Sequence, residues 1–492
     1  MIDYKVEIDG IDIKSIVDIR FHKGVNEHGD ATIRGIVTQE EADKLFNLKA
    51  DVTFVSIKIA TTEGGDVNQT IFEGIVYELA TSNERGVPEV ELKLIGSSVL
   101  LDVIKKTRTY QKEEAEYQKI VDYIKGEENK KKVSDAEIMI NNGEGCKVAH
   151  KPANELLVQY QETDYAFLKR CASLQEKPLI TTLNATGSKI ININVGLVKG
   201  GSESLDAKYY KQKKQLKDYI NDKNHGLDSA KEDDYSVVEV RAREYFDLGA
   251  GVNIAGKTLY VYAVDSTYDS SIKTTGDGNK DEFWHTYTLA DEKRFKAAPI
   301  YNYEMIGASL QATVKEVVKD KIKVDTDIDE ENNTKAKNNL EFPFATVYST
   351  NDGTGWYCMP EEKDKVRLYL PTEKEDDAYV ISAVHLEAGS NLRDKPDTKF
   401  IMNKHKKKVE FTKDAITITN GDKMEIKLDD NKGISIISNK DINISAEKEV
   451  NIISKKNKVN VSGKNSVTLK QGATAYVELK GKATIKATSV HM

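Results

Sequence analysis

Residues 408–492 constrain the fold most. They carry apolar residues in pairs of the form apolar-x-apolar: Val409/Phe411, Ile416/Ile418, Ile426/Leu428, Ile434/Ile436, Ile442/Ile444, Val450/Ile452, Val459/Val461, Val467/Leu469, Val477/Leu479 and Ile485/Ala487. Four successive pairs begin at 426, 434, 442 and 450, each eight residues after the last. Gly, Asn, Asp, Ser and Lys fill the spacers and suit turns. A short fixed period sets the architecture before any other feature is read. Alternate side chains of a strand share a face, so each unit supplies one short strand and one corner. One turn of a single-chain β-helix takes roughly twenty residues, and eight are too few. Three chains wound about one axis solve this. Each supplies one strand per face, and the inward Ile and Val side chains meet on the axis. Adjacent strands then come from different chains, and few edges stay open. The expected trimer core is Ile426, Leu428, Ile434, Ile436, Ile442, Ile444, Val450, Ile452, Val459, Val461, Val467, Leu469, Val477, Leu479 and Ile485. About ten strands at ~4.7 Å spacing make a prism ~50 Å long. Such a needle does not fold as a monomer, and its stiffness suits penetration. A two-sheet solenoid, an ordinary sandwich and a trimeric receptor-binding fibre are the competing readings.

The chain has 492 residues, enough for about three domains. Strand patterns dominate residues 1–308. Tyr4 to Ile8 alternates, Asp9-Gly10 turns, and Ile11 to Ile13 resumes, as in a hairpin. Further alternating runs cover Val52–Ile59, Thr70–Leu79 and Val90–Ile95, with one helical stretch at Gln39–Phe46. Helical spacing marks Glu113–Lys125 and Ala153–Glu176, with Pro152 at the start of the second and Asp164 placed to cap its latter half. Strands return at Ile190–Val195, Ser236–Ala242 and Leu259–Val264. The region reads as two β-barrels around an α/β insertion. Residues 309–387 hold about five short strands, including one at Phe344–Tyr348, which fits an OB-fold. Residues 388–408 are a linker, and 409–492 form the intertwined β-helix. The fold class is therefore mainly β.

Three passages resemble the hub-and-spike proteins of contractile injection systems, a family that includes phage baseplate spikes, the late-control D protein and the VgrG proteins of type VI secretion. Leu157-Val-Gln-Tyr-Gln-Glu-Thr-Asp-Tyr-Ala-Phe-Leu-Lys-Arg170 is similar to that family's Q-Y-x-E-[ST]-D-[WY]-x-F-[LI]-x-R stretch. Gly355-Trp-Tyr-Cys-Met-Pro360-Glu361 and the following Lys363-Asp364-Lys365-Val366 resemble its OB module, although the Gly of the family's G-D-E-V turn is absent. The eight-residue repeat is the third passage. The resemblance implies a homotrimer whose tube-like barrels present a six-fold ring to a hexameric tail-tube protein. It implies an OB collar, a spike driven through the target cell envelope, and contacts with other baseplate or hub proteins and a tip-capping protein. The parent machine is a phage tail, a tailocin or a type VI system. A VgrG carrying effectors is the alternative role, and a tailspike enzyme a further one.

No run approaches the ~20 apolar residues of a membrane span, and acidic residues crowd the N-terminus, so no secretory signal is expected. Net charge is −8 with pI about 5.7, which argues against sequence-specific nucleic-acid binding. Three scattered cysteines, Cys146, Cys171 and Cys358, make no disulfide framework and fit assembly in a reducing cytoplasm; the resemblance implies later incorporation into a virion or released bacteriocin. No catalytic residue is expected. Gly-x-Ser-x-Gly, His-Glu-x-x-His and a Walker loop are missing from the sequence. The acidic clusters at Glu232–Asp234 and Glu373–Asp377 read as solvated loops. Asp325-x-Asp327-x-Asp329 imitates a calcium loop, but Glu330 and Ala336 stand at its sixth and twelfth positions. Lys130–Lys132 and Lys406–Lys408 read as solvated charge runs. His491 is the one candidate ligand. Three copies at a needle tip offer three imidazoles to an iron or zinc ion.

Overall fold

The computed structural model describes residues 4–47, 53–61, 67–84, 86–131, 137–142, 156–183, 190–205, 209–270, 282–332, 339–386, 391–472 and 474–479. The chain divides into two compact units, residues 1–386 and 387–492.

The first unit opens with β1 (Tyr4–Asp9), β2 (Ser15–Gly24), β3 (Asp30–Ile36), α1 (Gln39–Phe46), β4 (Phe54–Thr61), β5 (Val67–Glu84) and β6 (Val87–Gly96). An α/β insertion follows: β7 (Lys106–Gln111), α2 (Tyr117–Lys131), β8 (Glu137–Asn142), β9 (Leu156–Glu162), α3 (Asp164–Ser173), β10 (Leu179–Thr182) and β11 (Ile190–Val195). Next come β12 (Ser202–Ser204), β13 (Tyr210–Lys214), α4 (Leu216–Asn224), β14 (Ser236–Ala242), β15 (Gly251–Ile254), β16 (Lys257–Asp269) and β17 (Glu282–Ala290). The unit closes with β18 (Ala308–Val318), β19 (Lys321–Thr326), α5 (Asp327–Asn332), β20 (Glu341–Pro343), β21 (Lys365–Leu370) and β22 (Tyr379–Ile381).

Strands from before and after the insertion form one twelve-stranded sheet, ordered β1-β4-β5-β6-β3-β2-β16-β17-β14-β13, with β15 and β12 branching from β16. The two strand groups are not separate barrels. They join where β2 pairs antiparallel with β16, and one core spans them, with Ile19, Ile33, Ile57 and Leu92 from the first and Val261, Val264, Tyr287 and Leu289 from the second. The alternation in β6 shows why: Val90, Leu92 and Leu94 are buried while Glu89 is exposed and Glu91 and Lys93 are half-buried, so one face packs and the other is polar. The expected N-terminal hairpin does not form. Residues 11–13 are not a strand, and β1 pairs with β4 instead.

In the insertion, β10, β11 and β8 form a three-stranded sheet, and β7 pairs with β9 as a ribbon. A single helix over 153–176 is not what the chain adopts. Leu156–Glu162 is strand, and the helix covers Asp164–Ser173; Pro152 lies outside the described residues. The reason is two-sided burial. Leu156 and Val158 pack into the core of the following barrel, and Leu157 packs into the insertion core. A strand buried on both faces has a continuous apolar run, which periodicity cannot separate from a helix.

The last strands of this unit form a five-stranded sheet ordered β20-β19-β18-β21-β22. A parallel bridge between Phe344 and Val380 links its two edges, and Ala345 N donates to Val380 O at 2.8 Å. The sheet is thus a nearly closed barrel around Ile322, Val324, Val366, Leu368 and Val380. The strand expected at Phe344–Tyr348 is instead Glu341–Pro343, because the chain leaves the barrel after the Phe344 bridge.

The second unit contains β23 (Lys399–Met402), β24 (Lys408–Phe411), β25 (Ala415–Thr419), β26 (Glu425–Asp429), β27 (Gly433–Ile437), β28 (Val467–Gln471) and β29 (Ala475–Leu479). Strands β23 to β27 are an antiparallel meander, and β28 pairs with β29. Residues 438–466 have no strand assignment in the isolated chain.

One core residue gives a pH dependence. The His285 ring is fully buried, with Phe21, Tyr245, Phe283 and Tyr287 around it. Its Nδ1 is 2.7 Å from Ser266 Oγ, and its Nε2 has no partner. Burial pushes its pKa from 6.5 down to about 3. Below pH 6.5 the unfolded chain takes up a proton that the folded chain refuses, so stability falls as pH drops through this window. The slope approaches about 1.4 kcal/mol per pH unit. Urea denaturation at stepped pH should show that decline in the wild-type chain and lose this component in His285→Phe. An unchanged slope in the variant would exclude His285 as its source.

Candidate functional site

Two constellations stand out. The first is an apolar face on the C-terminal meander. Val409 pairs with Ile418, Ile418 with Ile426 and Ile426 with Ile436. Phe411, Ile416, Leu428 and Ile434 form the parallel row. Alternation places both rows on one face, while Lys408, Glu410, Lys427 and Asp429 lie on the other and form the ion pairs Lys408–Glu410 and Lys427–Asp429. The spacers turn as their residue types predict. Asn420 Oδ1 accepts from Asp422 N at 3.2 Å and Met424 N at 3.1 Å, and Asp429 Oδ1 accepts from Asn431 N and Lys432 N. Gly421 and Gly433 take φ of 95° and 85°, a region that favours glycine.

The expected core positions are therefore brought together in rows, yet in the single chain they face water. Exposure runs from 41% at Ile426 and Leu428 to 73% at Ile434. Ile436, Ile442, Ile444, Val450, Ile452, Val459, Val461, Leu469 and Val477 are also exposed, and Val467 is half-buried. The Leu479 side chain, Ile485 and His491 lie outside the described residues. One expectation is corrected. From β23 to β27 neighbouring strands come from the same chain, not from different chains, because the tight turns close each hairpin locally. Over residues 438–466 the apolar pairs continue without strand partners among the described residues, with corners such as Ser438 Oγ accepting from Lys440 N at 3.1 Å.

The second constellation is the Leu157–Arg170 passage. The Thr163 side chain caps α3, accepting from Ala166 N at 3.1 Å. Asp164, expected as the cap, turns inward. It pairs with Lys106, with Arg108 Nη1 at 2.8 Å and with Gln159 Nε2 at 3.0 Å. Burial pushes the Asp164 carboxyl up, but the Arg108 charge and these hydrogen bonds outweigh it and hold it below the usual range. Arg170 is 2% exposed. Its Nε and Nη2 grip Glu162 at 2.9 Å, Nη2 donates to Val158 O at 2.7 Å, and Nη1 reaches Glu375 at 2.9 Å. Glu375 belongs to the barrel, between β21 and β22, so Arg170 ties insertion to barrel. Asp329 adds a second tie, accepting from Thr109 N at 3.0 Å and from the Thr109 hydroxyl. Sequence reasoning marked Glu373–Asp377 as a solvated loop and Asp325–Asp329 as an acidic, imperfect calcium-like loop. Glu375 is instead half-buried on Arg170 and Asp329 is buried on Thr109, partners 205 and 220 positions away. Asp234, in the other acidic cluster, is buried and accepts from Lys231 N at 3.0 Å. The three calcium-like carboxylates diverge, with Asp325 on Asn339 and Asp327 on Lys365. Among the described residues no group of His, Cys, Asp and Glu is placed to hold a metal ion, and no helix is long and apolar enough to cross a membrane. His28 lies 2.8 Å from Ser98 Oγ and 3.0 Å from Asp102, a hydrolase-like set, but Ser98 is fully buried.

No protein-family model matches the chain. No curated protein matches it either. Solved structures do. An E. coli protein described as a component of the type VI secretion system, with structural similarity to the T4 bacteriophage tail proteins gp27 and gp5, superposes with a TM-score of 0.50 at 12% identity, covering 77% of this chain and all of the other. The fold is that of the hub-and-spike proteins. A chain of the Francisella PdpA–VgrG complex gives a TM-score of 0.53 at 9% identity over 89% of this chain and 88% of its own. A lidless form of that complex gives 0.52 at 10% identity, covering 89% and 98%. The hub-and-spike likeness thus runs through most of the chain.

Proposed function

We propose that the protein is the trimeric hub and spike of a contractile injection machine. The observation that carries this reading is the exposed double row of Ile, Leu, Val and Phe on the C-terminal meander. Apolar burial is worth roughly 25 cal/mol per Å², and a contiguous apolar face of this kind marks an interface. Three meanders, each forming one side of a prism, turn these rows to a common axis. Residues 438–466, unpaired within the chain, then wind about one another as the triple-stranded β-helix. The nearly closed five-stranded barrel serves as an OB-fold collar. The twelve-stranded sheet holds two strand groups per chain, so three chains present six to a hexameric tube protein. The tie between the α/β insertion and the collar through Arg170 carries load between those two parts of the hub. Contraction of the machine supplies the work, and the spike breaches the target envelope.

A phage tail, a tailocin and a type VI machine all use this geometry. The PdpA–VgrG complexes favour a place for further spike-associated partners. We assign no enzymatic activity: in the Ser98–His28–Asp102 set the serine itself is fully buried, with the Tyr165 ring 4.1 Å from that of His28. Light scattering after gel filtration tests the trimer. A mass near 165 kDa, three times 55.0 kDa, is expected. A folded monomer would overturn the three-chain prism.

A further inference from the structure

The barrel carries a second apolar surface that the hub-and-spike reading leaves unused. Between β20 and β21 the chain forms a compact arm, residues 346–357. Trp356 N donates to Tyr348 O at 2.8 Å and Thr350 N to Thr354 O at 2.9 Å. Asp352 at the tip accepts from the Thr350 and Thr354 hydroxyls and from Thr354 N, and these bonds hold its carboxyl down at about 2. Gly355 has φ 146°, and a Cβ there would run into the Tyr348 carbonyl. The Tyr357 hydroxyl donates to Lys319 O at 2.7 Å, fastening the arm to the β18–β19 turn. The arm is thus built rigidly, yet it shows four large apolar side chains to solvent: Val347 (85% exposed), Tyr348, Trp356 (59%) and Tyr357. Rigid aromatic anchors of this kind lose little entropy on contact and dominate interface energetics.

We propose that this arm docks against a second copy of the same chain, locking neighbouring barrels in the collar. Area decides the occupant. Taking about 200 Å² per aromatic side chain, the arm exposes roughly 500 Å². An independent partner needs about 800 Å² on each side. A copy already tethered through the C-terminal meander needs far less, because the second contact forms at high effective concentration. The inference rests on the trimer.

The two tryptophans of the chain are Trp284 and Trp356, so the full chain carrying Trp284→Phe reports on Trp356 alone. Acrylamide quenching should be several-fold weaker than in the denatured chain, with blue-shifted emission, while light scattering shows a trimer. Quenching should become free in a monomeric Ile426→Asp/Ile436→Asp chain. A trimer whose Trp356 is quenched as in the denatured chain overturns the arm contact and leaves the trimer standing. A folded wild-type monomer overturns both. Protection that arises only when another protein is added assigns a different occupant and also overturns the proposal. Should Trp284→Phe fail to fold, the difference between the wild-type chain and Trp356→Phe gives the same reading.

Discussion

Replacing Ile426 and Ile436 together with Asp should convert the proposed trimer to a monomer. The two residues face each other across β26 and β27, in the row that also contains Val409 and Ile418. In a three-fold prism each substitution puts three carboxylates beside one axis. An isolated ionised carboxylate is strongly disfavoured in an apolar setting, and like charges at close range add to the cost. The expected result is a fall in native mass from near 165 kDa to near 55.0 kDa, with the first unit still folded. The polar face gives the control. Thr417→Asp on the neighbouring strand β25 should leave the mass unchanged. If the double Asp variant remains a trimer, the face does not point to the axis.

The second large effect is expected at Arg170. Its side chain is buried with Glu162 and Glu375, whose side chains are 13% and 10% exposed. Removing the guanidinium strands both carboxylates in a poorly solvated site, a change that costs about 3–5 kcal/mol in comparable buried pairs. Arg170→Ala should therefore lower the unfolding temperature of the first unit markedly. Arg170→Lys keeps the charge but not the fork that serves Glu162, Val158 O and Glu375 at once, so it should recover only part of the loss. Pairing Arg170→Met with Glu162→Gln and Glu375→Gln removes the stranded charges and should recover more than Arg170→Ala does. A wild-type melting profile for Arg170→Ala would show that this network contributes nothing to the stability of the first unit.

The legible parts of the sequence were those governed by local rules. Alternation marked β6, and the eight-residue period marked the apolar rows of β24 to β27. What escaped was decided by partners far along the chain. Leu156–Glu162 looked helical because its two faces pack into different cores. Glu375 looked solvated because acidic runs normally are, and Asp329 looked like part of a calcium-like loop, whereas Arg170 and Thr109 engage them in the interior of the first unit. The path of the meander escaped for a subtler reason. A corner of three to five polar residues serves equally to fold a strand back on its own chain or to send it to a neighbour, and spacing alone does not distinguish the two. The resemblance through Leu157–Arg170 pointed to the right fold, and the structure shows the physical work of that passage: it is a clamp between insertion and barrel.

The change in pairing after Ile437 dictates an order of assembly. The β23–β27 hairpins close within one polypeptide, so this step is unimolecular and independent of protein concentration. In the proposed trimer residues 438–466 find strand partners only when three chains have met, so their step accelerates with concentration. The early step also sets the alignment of the late one. Eight-residue repeats are nearly interchangeable, and three chains starting anywhere along them would zip in staggered arrangements. Meanders that first settle side by side give all three chains the same starting point, and winding then proceeds from that end in a single register.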